Sequence, residues 1–587
     1  MNRSMKRTTW IYLVVFAVGL SVILSVANLF LGDLNQDEGW YLYAARQITE
    51  GRVLYRDFMF TQGPALPFVY GVLFPIIEKF GVAGGRLITV LFGLASVGCA
   101  AWLAFRSAKR FAKTAALCAL ILAGVNVYQS YFTTIVKTYS LCAFFLTAGF
   151  VALSYANGKR GASGAFWGGF LLALAACTRL SAGIALPIAG LWLVCNRRKV
   201  YPFGANSVES GMLNVGGQVS HSTSTISRIT TLPAWVAFGL GGGFVLLIGL
   251  VSFFVIAPDN THFALFGYHA GRSPGGVMEL VALKAGFISR FVQAYFVFAV
   301  GCVAAFLFRK HHRHVRALAG PDSRPRLTEL LLQANQKDSP FTHSFISLLW
   351  MAGIGITLVH FAAPFPYDDY QVIVFPVLCA ALAATLIPRC PEKQLVRVAW
   401  AVLLVCTAAS FSSPINQSWM VRGRDRIWWK FKETPDLAAL QKVGAQIREE
   451  LGEDGLLLTQ DTYLAVEAGA RVPHGMEMGP FSYYPDLPRE QAEKLNLFNK
   501  EMLLEMLTCG RAPMAALSGY GLTIRSPEVS EISPNDLEVL RVILEKNYEK
   551  SGNIPNFGQA HTALEIFTRK SQGGKLETRN SKSETNF

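Results

Sequence analysis

Long apolar runs recur along the first two thirds of the chain, separated by short polar, basic or aromatic connections. A run of about 18 residues or more is long enough to cross a bilayer as a helix. Eleven runs are predicted to do so: Trp10–Leu31, Val82–Phe105, Thr114–Tyr128, Thr134–Tyr155, Ala162–Thr178, Ser181–Cys195, Pro233–Ile256, Gly286–Phe308, Thr342–Phe361, Gln371–Ile387 and Val398–Ser412. The third, fifth and sixth are short. "SVA" at Ser25–Ala27 resembles a signal-peptide cleavage site, but the first run exceeds a typical signal core and reads as a retained helix.

Between the first two spans, residues 32–81 follow another pattern. Asp33 and Gln36 have capping-box spacing, and a helix is expected from about Gln36 to Glu50. Trp40, Tyr41, Ala44 and Ile48 fall on one side of it and Arg46, Gln47 and Glu50 elsewhere, which suits a helix lying at the membrane surface. After a polar turn at Gln62–Pro64, Ala65–Phe80 reads as a second interfacial or re-entrant helix. Counting it as a span would invert every later loop.

Charge supports that count. Only 16% of the 587 residues are charged and 52% are hydrophobic, yet the net charge is +15. Basic residues gather at the N-terminus, at Arg106–Lys113, Lys159–Arg160 and Arg197–Lys199, in "RKHHRHVR" from Arg309, and at Arg389–Arg397. All lie on one side if the N-terminus is cytoplasmic, so the charge is topological and no nucleic-acid partner is implied. The expected location is the cytoplasmic (inner) membrane, with the C-terminus outside. Residues 1–413 would form the membrane domain. From Pro414 to Phe587 no further span occurs, and amphipathic "DLAALQKVGAQIREEL" (Asp436–Leu451), strand-like "GLLLTQD" (Gly455–Asp461) and their successors predict a soluble α/β or α+β domain. Of ten cysteines only Cys509 falls there, so no disulfide framework is available. Tyr201–Leu232 (Ser/Thr-rich) and Arg309–Pro340 (basic, with a short helix at Leu327–Asn335) read as cytoplasmic insertions. His311, His312 and His314 sit among arginines and read as a solvated basic loop, not a metal cluster.

Candidate chemistry begins at "LGDLNQDEGWYLYAARQITEG". Acidic residues are favoured in a helix's first turn, which accounts for one carboxylate more easily than for Asp33, Asp37 and Glu38 together. The functional reading is a general base or metal ligand at the membrane surface. "NQDEGWYLYAARQITEGRVLYRDFMFTQGP" resembles the first extracytoplasmic loop of family-39-type glycosyltransferases, the protein mannosyltransferases, aminoarabinose transferases and galacturonosyltransferases that share the GT-C membrane fold. The resemblance is sharp over residues 35–67 and extends in topology to about residue 390. It implies that Asp37 is the catalytic carboxylate, with Glu38 in support, and that the donor is a sugar on a polyprenyl phosphate.

Such a donor needs no nucleotide site, and no Walker or Rossmann glycine fingerprint is present. It needs a base for an acceptor hydroxyl and cations for the departing phosphate. Lys137, Arg179 and Arg272, with His269, are the candidate cations on the outer side, and Arg86 is a weaker one; snorkelling or structural pairing is the alternative role of each. In "HFAAPFPYDDYQVIVFP", Asp368, Asp369 and Tyr370 are candidates for sugar hydroxyls and His360 or Tyr367 for the phosphate, against an ordinary polar turn. "EAGARVPHGMEMGPFSYYPD" (Glu467–Asp486) is a candidate acceptor loop. Relatives carry a second acidic residue before the fourth span, where this chain reads "VKTYS" with no Asp or Glu from Val125 to Tyr155. A divalent metal is therefore possible but unsupported by a second acidic motif, and one base with a phosphate-binding lysine is favoured.

The sequence thus predicts an inverting membrane glycosyltransferase that passes a sugar to a glycan, lipid or protein acceptor among membrane lipids. A lipid-linked-sugar flippase or transporter is the alternative, but nearly all charges stay at span ends and no internal repeat is found. A non-catalytic assembly protein would leave the Asp-Glu pair without purpose.

Overall fold

A computed structural model of the protein describes residues 3–157, 161–196, 232–270, 276–318, 340–411, 434–452, 454–519, 532–559 and 561–570. The insertion at 201–231, the short helix at 327–335 and Arg272 lie outside them, as do the side chains of His311, His312 and His314. The chain is a multi-pass membrane protein. Its membrane part comprises α1 (Arg3–Leu31), α2 (Gln36–Thr49), α3 (Ala65–Val72), α4 (Phe74–Ser107), α5 (Ala112–Gly124), α6 (Val127–Phe132), α7 (Thr138–Leu153), α8 (Gly161–Thr178), α9 (Ala185–Cys195), α10 (Ala234–Ile256), α11 (Val277–Ala294), α12 (Phe296–Leu318), α13 (Pro340–Ala362), α14 (Phe375–Leu386) and α15 (Leu395–Phe411).

Every predicted apolar run carries a helix among its described residues, but these differ in length. Among the described residues α1, α4, α8, α10, α13 and α15 are long and apolar enough to cross a bilayer, and α5, α7, α9 and α14 are shorter apolar helices. The predicted eighth span, Gly286–Phe308, is not one straight helix. α11 and α12 meet at Tyr295 with a bend of 89° and supply a seventh crossing only if taken together. The elbow is held by Tyr295 itself: its ring is buried and stacked 3.9 Å from that of Phe375, and its hydroxyl donates to Gln129 Oε1 at 3.0 Å. A residue anchored on two sides cannot also follow the helical path, and its backbone (φ −121°, ψ 36°) leaves it.

α2 starts where expected but is capped differently. Asn35, not Asp33, is the N-cap: its side chain accepts from Asp37 N at 3.1 Å, while Glu38 Oε2 accepts from Asn35 N at 3.0 Å to close a capping box. Nor does α2 present a wet face. Gln36, Glu38 and Gln47 are buried along with Trp40, Tyr41, Leu42 and Tyr43, because the C-terminal region covers the side that amphipathicity assigned to water. Arg46 Nη1 donates to the carbonyls of Gly469 and Ala470 at 3.2 and 2.8 Å, and its Nη2 pairs with Asp454. Gln36 Nε2 donates to Gln460 O at 2.7 Å, and Val472 N donates to Tyr43 Oη at 3.1 Å. A methyl group at Gly39 would stand 2.1 Å from Tyr463 N, so only glycine lets the two backbones touch.

The Ala65–Phe80 segment becomes α3 and the first turns of α4. Helical geometry is then interrupted at Gly81 (φ 58°) before the membrane-crossing part of α4 resumes. Glu467 Oε2 accepts from Val82 N at 2.9 Å and so caps this restart from the C-terminal region.

That region carries α16 (Asp436–Leu451), α17 (Thr462–Ala468), α18 (Lys500–Cys509), α19 (Pro534–Asn547) and a four-stranded sheet. Strands β1 (Leu457–Leu458), β2 (Met514–Leu517), β3 (Tyr548–Phe557) and β4 (Thr562–Arg569) lie in the order β1-β2-β4-β3. β1 and β2 are parallel, and the β2–β4 and β3–β4 pairs are antiparallel. The expected strand Gly455–Asp461 shrinks to two residues because the next loop turns onto α2.

Candidate active site

Glu38 and Arg86 form the foundation of the site. Both are wholly buried. Arg86 Nε and Nη2 donate to Glu38 Oε1 and Oε2, each at 2.7 Å, a planar bidentate pair. Arg86 also donates to the carbonyls of Leu29, Gly32 and Asp33, each at 3.0 Å, where α1 ends. Glu38 Oε1 accepts Val136 N at 3.2 Å besides. Both Glu38 oxygens are thus filled by protein donors, and the carboxylate fixes α1, α2, α4 and the approach to α7 relative to one another.

Asp37, the next residue back, points elsewhere. Its side chain is one quarter exposed; Oδ1 accepts Trp40 Nε1 at 3.2 Å, and Oδ2 lies 2.9 Å from Lys137 Nζ. Lys137 is the extended residue immediately before α7 and is 8% exposed. Its ammonium also lies 3.4 Å from Asp369 Oδ2, which accepts the Tyr139 hydroxyl at 3.0 Å. The sequence placed Lys137 on a phosphate and found no second carboxylate nearby. The fold instead supplies one from the turn at Asp368–Ile373, and sets the lysine between the two.

Beside this trio lies a cleft of about 210 Å³ lined by Thr61–Gly63, Arg179, Ser181, His269, His360 and Tyr370. It brings the "TQGP" stretch, the α8–α9 junction, the segment after α10 and the loop after α13 together. Arg179 is buried. Its guanidinium sits 3.9 Å from the Tyr370 ring centre and 5.1 Å from that of Tyr139, and Nη1 donates to Thr138 Oγ1 at 3.1 Å. The buried Tyr41 lies within electrostatic reach of both Asp37 and Arg179. His269 Nε2 lies 2.9 Å from Thr61 O. Gln371 Nε2 donates to His360 Nδ1 at 2.9 Å, leaving Nε2–H to donate to Ser181 Oγ at 2.9 Å.

Other expected residues fall outside this arrangement. Asp368 pairs with Arg290 Nε at 2.6 Å and accepts the Tyr128 hydroxyl, bracing α11. Tyr367 is 39% exposed and packs on Tyr370. Sequence reasoning ranked Arg86 low and did not find Gln371, Tyr139 or Tyr41. Only Arg86 carried a signal, a charge inside an apolar run.

The Glu467–Asp486 segment lies on the seam between the C-terminal region and α2. Burial pushes the Glu467 carboxyl above its ordinary range, and the Glu477 carboxylate, 3.0 Å from His474 Nδ1, pushes the imidazole up. Nearby, Asp33, Asp436 and His561 place one ligand atom each within 4.8 Å of one another, the one three-residue group of metal-ligating type found among the described residues.

The fold matches the crystal structure of ArnT from Cupriavidus metallidurans bound to undecaprenyl phosphate, with a TM-score of 0.54 and 13% identity over 96% of this chain and 99% of that one. The apo form of the same protein matches with a TM-score of 0.55 and 14% identity, over 94% and 97%. No protein-family model and no curated protein sequence matches the chain. The chain therefore has the GT-C fold that its first loop implied.

Proposed function

We propose that this protein is a membrane glycosyltransferase that uses a polyprenyl-phosphate-sugar and transfers the sugar to an extracytoplasmic acceptor with inversion. The observation that carries the reading is the juxtaposition of the part-exposed Asp37 carboxylate with a cleft that holds a buried arginine and two histidines. ArnT, whose fold it shares, has been solved with undecaprenyl phosphate bound.

In this reading the donor's phosphate enters the cleft and is met by Arg179, fixed by its aromatic neighbours and by Thr138. An acceptor hydroxyl attacks the anomeric carbon from the face opposite the phosphate. The new C–O bond forms as the carbon–phosphate oxygen bond breaks, the phosphate leaves with the electron pair, and Asp37 takes the hydroxyl proton. Arg179 stabilises charge developing on the leaving oxygen. Lys137, 2.9 Å from Asp37 Oδ2, holds the carboxylate in place. Glu38 has a positioning role, because its oxygens already have donors. The outer face of the cytoplasmic membrane is the expected setting, with the N-terminus inside.

Asp37→Asn keeps the shape and removes the proton acceptor, so turnover should fall about 10²–10⁴-fold. Purified protein, a radiolabelled polyprenyl-phosphate-sugar and a membrane extract as acceptor provide the assay. Near-normal transfer by Asp37→Asn would overturn the assignment.

A further inference from the structure

We propose that the Lys137 ammonium is a built-in counter-cation, seated between Asp37 and Asp369 where a two-carboxylate centre would otherwise take a divalent metal. The inference deepens the catalytic reading above and rests on it for its meaning, though not for its test.

Lys137 Nζ contacts one oxygen of each carboxylate, at 2.9 and 3.4 Å. These are ammonium distances, whereas Mg²⁺ and Ca²⁺ take oxygen ligands at roughly 2.0–2.6 Å and want six or more. The walls are also wrong for a hard cation: the Phe132 and Tyr139 rings lie 5.8 and 5.4 Å from Nζ and suit an ammonium. With the lysine in place the centre does not fit a metal.

What lysine supplies is charge. Two carboxylates facing one small volume repel an anionic donor. One buried ammonium offsets much of that charge. Lys137 is the residue where the chain enters α7, which fixes the origin of its side chain beside the two carboxylates. Asp369 shows what would appear without it. Its Oδ1 is buried with no hydrogen-bond partner, and Oδ2 keeps only Tyr139 besides the lysine.

Removal of the ammonium should therefore create a metal site. Full-length protein, stripped with chelator in detergent, is titrated with Mn²⁺ and free Mn²⁺ is followed by electron paramagnetic resonance. Lys137→Ala should bind one Mn²⁺ roughly tenfold or more tighter than wild type, since two carboxylates then face an opened space. Lys137→Ala/Asp369→Asn should lose the gain. Lys137→Met, which keeps the bulk without the charge, should show little gain. Circular dichroism and gel filtration check folding. A wild-type protein that binds Mn²⁺ in an Asp369-dependent way refutes the proposal, even if Lys137→Ala fails to fold. So does a folded Lys137→Ala protein that gains no binding. None of these readouts needs sugar transfer, so an enzyme found inactive on every donor would sink the proposed function and leave this result standing.

Discussion

Arg86→Met tests whether the buried pair beneath Asp37 holds the site together. All five N–H bonds of the guanidinium are used: two to Glu38 and three to carbonyls at the end of α1. Methionine fills the volume but donates nothing. Breaking a buried ion pair from one side costs about 3–5 kcal/mol, because the other charge stays behind unpaired. Each carbonyl stripped of its donor adds up to about 1–3 kcal/mol, less whatever water or local rearrangement restores. Against a usual folding stability of about 5–15 kcal/mol, the variant should stand at the edge of unfolding. Glu38→Gln should be nearly as damaging, since it leaves the guanidinium charge buried. The double variant Glu38→Gln/Arg86→Met buries no charge and should be more stable than Arg86→Met alone, which is the mark of coupling. Arg86→Lys should fall between, because a point charge cannot fill a planar fork. Apparent melting temperatures in one detergent, read by tryptophan fluorescence, give the order. If Arg86→Met melts within a degree or two of wild type, or if the double variant shows only the sum of the single losses, the pair is not the keystone described here.

Two further perturbations probe the seam between α2 and the C-terminal region. Gly81→Ala forces a positive-φ, extended conformation (φ 58°, ψ −139°) on a residue with a side chain, at about 1–3 kcal/mol, and drives its methyl to 2.1 Å from Glu467 Oε2. Amide exchange should quicken around Val82 and in α17 while the β2–β4 ladder stays protected; unchanged exchange at Val82 would count against the cap. His474 faces Glu477, Arg52 and, farther off, Asp57, and its pKa is raised in the folded protein by Glu477. Its stabilisation is complete below the unfolded value of about 6.5 and is lost as pH rises through the folded value. Exchange at the Arg52 and Val472 amides should increase over that range, and His474→Gln should flatten the profile.

The legible parts of the sequence were those set by local pattern. Apolar runs marked the helices, and the Asp-Glu pair before an aromatic helix marked the first loop. Hidden from it was whatever depends on partners far along the chain. Asp33 looked like the cap because the spacing permits it, but Asn35 has the shorter reach to Asp37 N. Gln47 read as a wet residue and is buried, since amphipathicity cannot say whether the polar face meets water or another part of the protein. The elbow at Tyr295 was invisible because its cause is Phe375, packed from another helix. The second carboxylate was sought near Lys137, whereas Asp369 lies 232 residues further on.

The Glu38–Arg86 pair also bears on how the protein is made. Glu38 leaves the ribosome first, and Arg86 follows 48 residues later inside an apolar helix. An arginine at the centre of a nascent membrane helix costs about 2.5–3.5 kcal/mol on insertion; Arg86, near the end of its span, carries part of that cost until Glu38 and the end of α1 are there to receive it. The first two long helices therefore mature as a unit: α1 must be in place before α4 can settle in lipid. The charge that orders the finished site also imposes a sequence of events on its biosynthesis.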